Sequence, residues 1–346
     1  MFDFTHAYIK ESFANFIGNK ARNEEIFLSS SPLTHDQTLD KHLMHLFLDA
    51  FLSTQGSFVF HHEEDINLNE AYIHTDEYFA GKYSLHSLAN KLSKLLYRVS
   101  THPNILSGEL FITRINDIRI NKKQHDIIGI FKSEQKKNLI HLEQSDTKLN
   151  AKVISGISPD ALDKGAIIVP ANAGYRIFIF NRKKADSIYW NESFLGCIPE
   201  KDTFLKTKHC IDACLQFHKK HLTPSENPKS SIEINNSIYQ YFNENKKFSS
   251  SDFAESIGLT KAQTSEFHDH IERYESKNNI KLSSTFKLDS TLDKKLQSKL
   301  KKNLKLDNSI EIKIPLNEDS AKKNIEKGYD NSRKMSYYKI YFHEES

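Results

Sequence analysis

The stretch Ile105–Lys137, ILSGELFITRINDIRINKKQHDIIGIFKSEQKK, decides the fold. From Glu109 to Asn116 the residues alternate, with Leu110, Ile112 and Arg114 on one side and Phe111, Thr113 and Ile115 on the other. A strand requires this two-residue period. After the polar turn Asn121–Gln124, the run Asp126–Phe131 is almost continuously apolar and β-branched, and Gly129 within it marks a bulge or a close backbone approach. The connection is too short for a crossover helix, so the two strands pair antiparallel.

Upstream of this hairpin the pattern is helical. Residues 4–22 read as a short helix or an irregular start, followed by a short strand at 25–29. Residues 36–52 place Leu39, Leu43, Leu46, Phe47, Ala50 and Phe51 at helical spacing behind Asp36 or Thr34 as N-cap. Residues 84–100 repeat Leu85, Leu88, Ala89, Leu92, Leu95 and Leu96 at intervals of three and four. This second helix is expected to pack against the first.

Downstream, strands are predicted at 138–143, 149–155, 165–170, 175–181 and 187–190, joined by short turns rich in Asn, Asp, Gly and Lys. A mostly antiparallel sheet results, with a helix over 203–222 covering one face. Pro224 and Pro228, set among serines and asparagines, mark a linker. Beyond it, helices at 232–242, 251–257 and 260–274 precede strands at 284–288, 310–314 and 335–342, with a lysine-rich helix at 292–304 between the first two strands. The fold class is therefore α+β. An N-terminal domain spans 1–223 (a helical, acidic region over residues 1–104, the sheet 105–200 and the covering helix), 224–231 is the linker, and 232–346 is a smaller α+β domain.

Composition narrows the functions. The chain has 346 residues, 38% of them hydrophobic, enough for a buried core in two domains. No basic stretch followed by an apolar run opens the sequence, so no signal peptide is expected, and no window is long and apolar enough for a membrane span. Three cysteines make no disulfide framework and fit a reducing cytoplasm. The net charge of +3 is unevenly distributed: residues 1–100 carry 8 Lys and Arg against 13 Asp and Glu, and residues 101–346 carry 40 against 32. Contacts to a polyanion therefore belong to the later residues.

Catalytic signatures are missing. Ser133 stands in Lys-Ser-Glu rather than in a nucleophile elbow, and neither a phosphate-binding P-loop nor a GxGxxG turn is present. Cys210, Cys214, His218 and His221 adjoin on one helix face, but a tetrahedral zinc needs ligands converging from more than one element. Small buried thiols beside a polar face account for the same pattern. His61-His62-Glu63-Glu64-Asp65 offers ligand types whose adjacent side chains point apart. No cofactor and no metal are expected. The segment Asp252–Thr264, DFAESIGLTKAQT, has the spacing of a helix-turn-helix, yet its second helix would present Glu266, Asp269, Glu272 and Glu275 against Lys261 and Arg273, a surface that repels phosphate.

Three basic groups suit DNA phosphate better: Lys122, Lys123, Lys132, Lys136 and Lys137; Arg182, Lys183 and Lys184; and Lys294, Lys295, Lys299, Lys301 and Lys302, with Lys305 beyond them. Lysines hold the phosphate backbone without reading sequence, and a solvated face is the plain alternative for each group.

Several stretches carry a family likeness: LANKLSKLLYRVSTHPNILSGELF at 88–111, DIIGIFKSE at 126–134, KGAIIVP at 164–170, YRIFIF at 175–180, YWNESFL at 189–195 and FLKTKHCIDACLQF at 204–217, with NEAY at 69–72 and YYKIYF at 337–342. In this order they resemble the bacterial nucleoid-associated proteins of the NdpA/YejK type. The resemblance implies a cytoplasmic protein of the nucleoid that binds DNA with little sequence preference, and in some relatives contacts topoisomerase IV. It supplies no set of DNA-contacting residues. The acidic first hundred residues depart from a strongly compacting protein and fit a weaker DNA contact combined with a protein interface, with homodimerisation among the expectations. The alternative is an adaptor recruited to the nucleoid through another protein.

Overall fold

The computed structural model describes residues 2–54, 56–172, 174–183, 188–222, 228–289, 302–305, 311–314, 325–341 and 344. Two compact units divide the chain, Met1–Glu200 and Lys201–Ser346.

The first unit is built on one antiparallel sheet. Its strands are β1 (Phe2–Asp3), β2 (Tyr8–Ile17), β3 (Phe58–Phe60), β4 (Gly108–Ile120), β5 (Lys123–Ser133), β8 (Lys164–Pro170), β9 (Tyr175–Asn181) and β10 (Cys197–Pro199), in the order β1-β4-β5-β8-β9-β3-β10 with β2 also on β4. The hairpin read from the sequence is its centre: Ile112 pairs with Ile130 and Phe111 with Phe131. Gly129 sits opposite Thr113, and a Cβ there would fall 2.2 Å from the Phe131 ring. The glycine is a close-approach point.

Each face of the sheet buries a helix. Leu110, Ile112, Ile128, Ile130 and Ile168 meet α3 (Leu85–Val99), with Trp190 and Phe194 in the same cluster. Phe111, Ile115, Ile127, Phe131 and Ile167 meet α1 (Gln37–Leu48), where Phe47 stacks on Phe131 at 4.3 Å between ring centres. The expected packing of these two helices on each other is thus corrected: they occupy opposite faces. Burial on both faces also explains why β5 reads as a continuous apolar run rather than as an alternation. Leu88, Leu92 and Leu96 are 0% exposed, and each such side chain contributes roughly 1.5–3 kcal/mol.

Other expectations change as well. Residues 8–17 form strand β2 rather than a helical start, because Ile9, Phe13 and Ile17 find a place on β4. Ile188–Phe194 is a short π-helix that turns Trp190 into the core, not a strand. The strands near 138–143 and 149–155 exist as β6 (Lys137–Ser145) and β7 (Lys148–Gly156), but they pair only with each other and stay outside the main sheet. Between α1 and α3 lies α2 (Glu70–Phe79).

The second unit contains α4 (Thr203–Phe217), α5 (Pro228–Glu244), β11 (Lys247–Ser249), α6 (Ser250–Ser256), α7 (Lys261–Asn278) and β12 (Thr285–Lys287), with β11 paired to β12. Helix α4 was expected to cover the N-terminal sheet. Instead its Phe204, Ile211, Cys214 and Phe217 share a core with Ile238, Phe253, Phe267 and Tyr274. Helix α5 begins at Pro228, inside the expected linker, since proline suits a first helical turn; residues 223–227 lie outside the described residues. The final residues of the expected lysine-rich helix form strand β13 (Lys302–Lys305), paired with β14 (Glu311–Ile314); residues 290–301 and Ile310 lie outside the described residues. The last hairpin is β15 (Ile325–Asp330) with β16 (Met335–Ile340).

Candidate nucleic-acid interface

The β4–β5 turn builds an exposed basic tip of the first unit. Asn121 and Lys122 both have positive φ, 50° and 68°, as a two-residue hairpin loop matched to strand twist requires. Lys122 and Lys123 are exposed, and so is Arg119, which pairs across the hairpin with Gln124. Arg119 escaped the sequence reading, which ended the first strand at Asn116 and began the basic turn at Asn121; in the structure the strand runs on to Ile120. The bulge after Ile115 brings it to the same tip.

The five cations of the first group do not form one patch. Lys123 and Ser133 are ten steps apart along the strand, which at about 3.3 Å per step puts the two ends roughly 30 Å apart. At the far end Lys136 is held by Glu109 at 2.6 Å, and Lys137 Nζ donates to Ser158 Oγ at 3.2 Å. Arg182 of the second group joins this end by donating to the carbonyls of Leu162 and Asp160, with Lys183 exposed beside it. The carboxyl of Asp160 is held below its usual range, first by the hydrogen bond from His45 and further by Lys137. Lys184, Lys294, Lys295, Lys299 and Lys301 lie outside the described residues. Lys302 opens β13.

Lys132 is a correction. It is 0% exposed, and its Nζ donates to the Leu106 carbonyl at 2.6 Å and to Glu134 Oε1 at 2.9 Å. Lys164, on the neighbouring strand, donates to both oxygens of Glu134 at 2.8 Å. The phenol of Tyr189 donates to Glu134 at 3.2 Å. Asp163 in turn accepts the backbone N–H of Glu134 at 2.7 Å and of Gln135 at 3.2 Å. Burial pushes the Glu134 carboxyl up, but the two ammonium groups outweigh it and hold it below the usual range. This is a closed internal charge cluster that fixes β5 to β8, not a phosphate contact.

In the second unit the segment Asp252–Thr264 folds as helix α6, a short turn and the start of helix α7. Gly258, at φ 72°, ends α6, and Thr260 caps α7 in a capping box with Gln263. Its exposed face carries Glu266, Asp269 and Glu272 with Lys261 and Arg273, as expected, and Lys277 besides, whereas the expected Glu275 is half-buried and accepts the Leu282 N–H. Cys210 and Cys214 are buried in the core, and burial pushes the Cys210 thiol well up. His221 stacks on Phe217 and His270 meets the Ala213 carbonyl at 3.1 Å. Among the described residues, no three His, Cys, Asp or Glu side chains are grouped to hold a metal ion. No helix among them is long and apolar enough to cross a membrane.

His61, His62, Glu63 and Glu64 line a cleft of about 670 Å³ with Asn69, Glu70 and Arg98, where Arg98 and Glu70 pair with each other. The charged residues of its lining are mostly carboxylates, Glu63, Glu64, Glu70 and Glu192 against Arg98, which does not suit phosphate.

Among known families, the model of the one described as nucleoid-associated protein YejK matches residues 16–334. A search of curated proteins gives no match.

Proposed function

The chain belongs to the nucleoid-associated protein YejK family, and from that premise we propose that it binds DNA with little sequence preference through lysine–phosphate contacts. The observation that carries this reading is the β4–β5 tip, where Arg119, Lys122 and Lys123 are all exposed at one end of the hairpin. Lys137, Arg182 and Lys183, at the opposite end of β5, offer a second contact. Lys294, Lys295, Lys299, Lys301 and Lys302 are proposed contacts of the second unit, and Lys184 and Lys136 supplementary ones of the first. The chain then works in the nucleoid by binding, with no chemistry of its own.

Phosphate neutralisation makes affinity fall linearly with log salt, at a slope of about −0.9 per phosphate contacted. Titrating binding to unrelated duplexes at several salt concentrations tests this. Parallel salt curves for all duplexes are the expected result, and binding confined to one sequence or indifferent to salt overturns it.

A type II topoisomerase as partner and self-association complete the proposal. A second reading, an adaptor recruited through another protein, draws on the exposed apolar side chains of β6 and β7. Purified protein that shifts no duplex yet captures topoisomerase IV would favour the adaptor.

A further inference from the structure

Hairpin β15–β16 carries the YYKIYF stretch, and none of the contacts proposed above uses it. Successive side chains of β16 alternate between the two faces of the ribbon, so Met335, Tyr337 and Lys339 line one of them. Tyr341 continues this row, since Lys339 Nζ lies over its ring, 4.8 Å from the centre. Arg333 and Lys334 begin it, both exposed in the turn before β16. The apolar members stand well out in water, Met335 at 59%, Tyr337 at 49% and Tyr341 at 43% exposure.

Gly328 sets the attitude of the central ring. It pairs with Tyr337 in the register, and a Cβ there would fall 2.3 Å from the tyrosine Cζ and hydroxyl oxygen. The ring therefore lies over the backbone of the ribbon, an approach that only glycine leaves room for. Its outward side is open to a ligand.

We infer that this row binds single-stranded nucleic acid, with unpaired bases stacking on Tyr337 and Tyr341 and with Arg333, Lys334 and Lys339 taking the phosphates. The inference goes beyond the duplex contact proposed above and does not depend on it.

Rings and charges select the ligand together. Aromatic rings interleaved with cations hold single strands without reading sequence, because every base has a π-face to stack and every linkage a phosphate to neutralise. Tyr341 lies four steps beyond Tyr337, roughly 13 Å at about 3.3 Å per step, so the two rings take separate bases with Lys339 between them. A duplex keeps its base faces against one another and could meet only the cations. An acidic peptide would pair the same cations and leave the ring of Tyr337 in water. The carboxylate on this face is already engaged: Asp330 accepts the Ser332 N–H at 2.8 Å, the Ser332 hydroxyl at 2.6 Å and the Arg333 N–H at 3.1 Å. Its approach to the Arg333 guanidinium is loose, 3.9 Å, and that side chain is 80% exposed.

Fluorescence anisotropy of a labelled oligothymidine titrated with the full chain tests the inference. The wild type is expected to bind it, and Tyr337→Ala/Tyr341→Ala to bind about thirtyfold more weakly, the low end of what two stacked bases contribute. Tyr337→Phe/Tyr341→Phe should bind like the wild type, because the ring and not the hydroxyl does the stacking. Both tyrosines are exposed, so an unchanged circular dichroism melt of the alanine pair separates lost binding from lost folding. A wild type that ignores oligothymidine, an alanine pair that binds it unchanged, or a phenylalanine pair that falls as far as the alanine pair overturns the inference. So does cosedimentation with phosphatidylserine vesicles that the alanine pair abolishes while its oligothymidine binding persists, since the row then serves a lipid surface. Duplex titrations on the same proteins keep the two readings apart. Duplex affinity should not change in either pair, and an equal loss for duplex and single strand overturns the single-strand assignment. A wild type that binds oligothymidine through these rings and no duplex sinks the duplex reading and leaves this one standing.

Discussion

Lys164 Nζ lies 2.8 Å from both carboxylate oxygens of Glu134, on a strand that pairs directly with the one leading into that glutamate. The same carboxylate takes Lys132, so one acid neutralises two buried ammonium groups. Removing the charged partner of a buried pair typically costs about 3–5 kcal/mol, since the remaining charge stays in the interior. Glu134→Gln is therefore expected to destabilise the first unit by about that amount, read as a lowered denaturant midpoint. A loss below about 1 kcal/mol would show that water or other groups compensate the lysines.

The same cluster sets an acid dependence. The folded Glu134 titrates below its unfolded value, so its contribution is complete above the unfolded carboxyl range, near about 4.3, and disappears as pH falls through the folded value. Wild-type stability should therefore drop more steeply below about pH 4.3 than that of Glu134→Gln, which carries no titrating group there. Denaturant melts of both proteins between neutral and strongly acidic pH compare the two slopes.

Exposed and buried lysines should separate cleanly in DNA binding. Lys122→Ala/Lys123→Ala is expected to lower the salt slope by about 2 if each contacts one phosphate, while leaving the melt unchanged. Lys132→Met should do the reverse, leaving Glu134 with a single ammonium and lowering stability with no change in slope for the protein that remains folded. A slope that responds to Lys132 and not to Lys122 and Lys123 would contradict the proposed contact surface.

Thr260 closes both halves of the capping box at the start of α7. Thr260→Ala should cost about 1 kcal/mol. The loss belongs to the second unit, and chemical denaturation followed by far-ultraviolet circular dichroism measures it.

Thiol chemistry gives an independent check of both cores. Burial pushes Cys197 up to about 12 and Cys210 well above the usual thiol range, so little thiolate forms at neutral pH. Iodoacetamide should leave Cys197 and Cys210 unmodified in the native protein and label them in denaturant. Rapid native labelling of Cys197 would show that the β10 edge opens.

Much of the architecture was legible in local pattern. The alternation of Leu110 and Ile112 against Phe111 and Ile115 matches the two faces on which they are buried, and the leucines of 85–96 form the stripe that covers one of them. These readings succeed because a strand's period and a helix's period are properties of the chain itself. Long-range choices were not legible. Nothing in the period of α1 or α3 says which side of the sheet each will cover, and α4 carries a stripe that fits either unit. The basic residues show the same division: Lys122 and Lys132 are alike in sequence, but one ends in solvent and the other at 0% exposure.

Residue type and short-range spacing were thus enough to specify most of the elements, the α+β class, the central hairpin and the motifs of the family. The environment of each charge and each apolar face came from the folded chain alone. Lys132 became internal because β8 brings Lys164 and β5 leads into Glu134 at one point, and Ile140 and Val153 remained in water because β6 and β7 pair only with each other. Burial depends on which distant segments meet, and that is fixed by packing rather than by the neighbours of a residue in the chain.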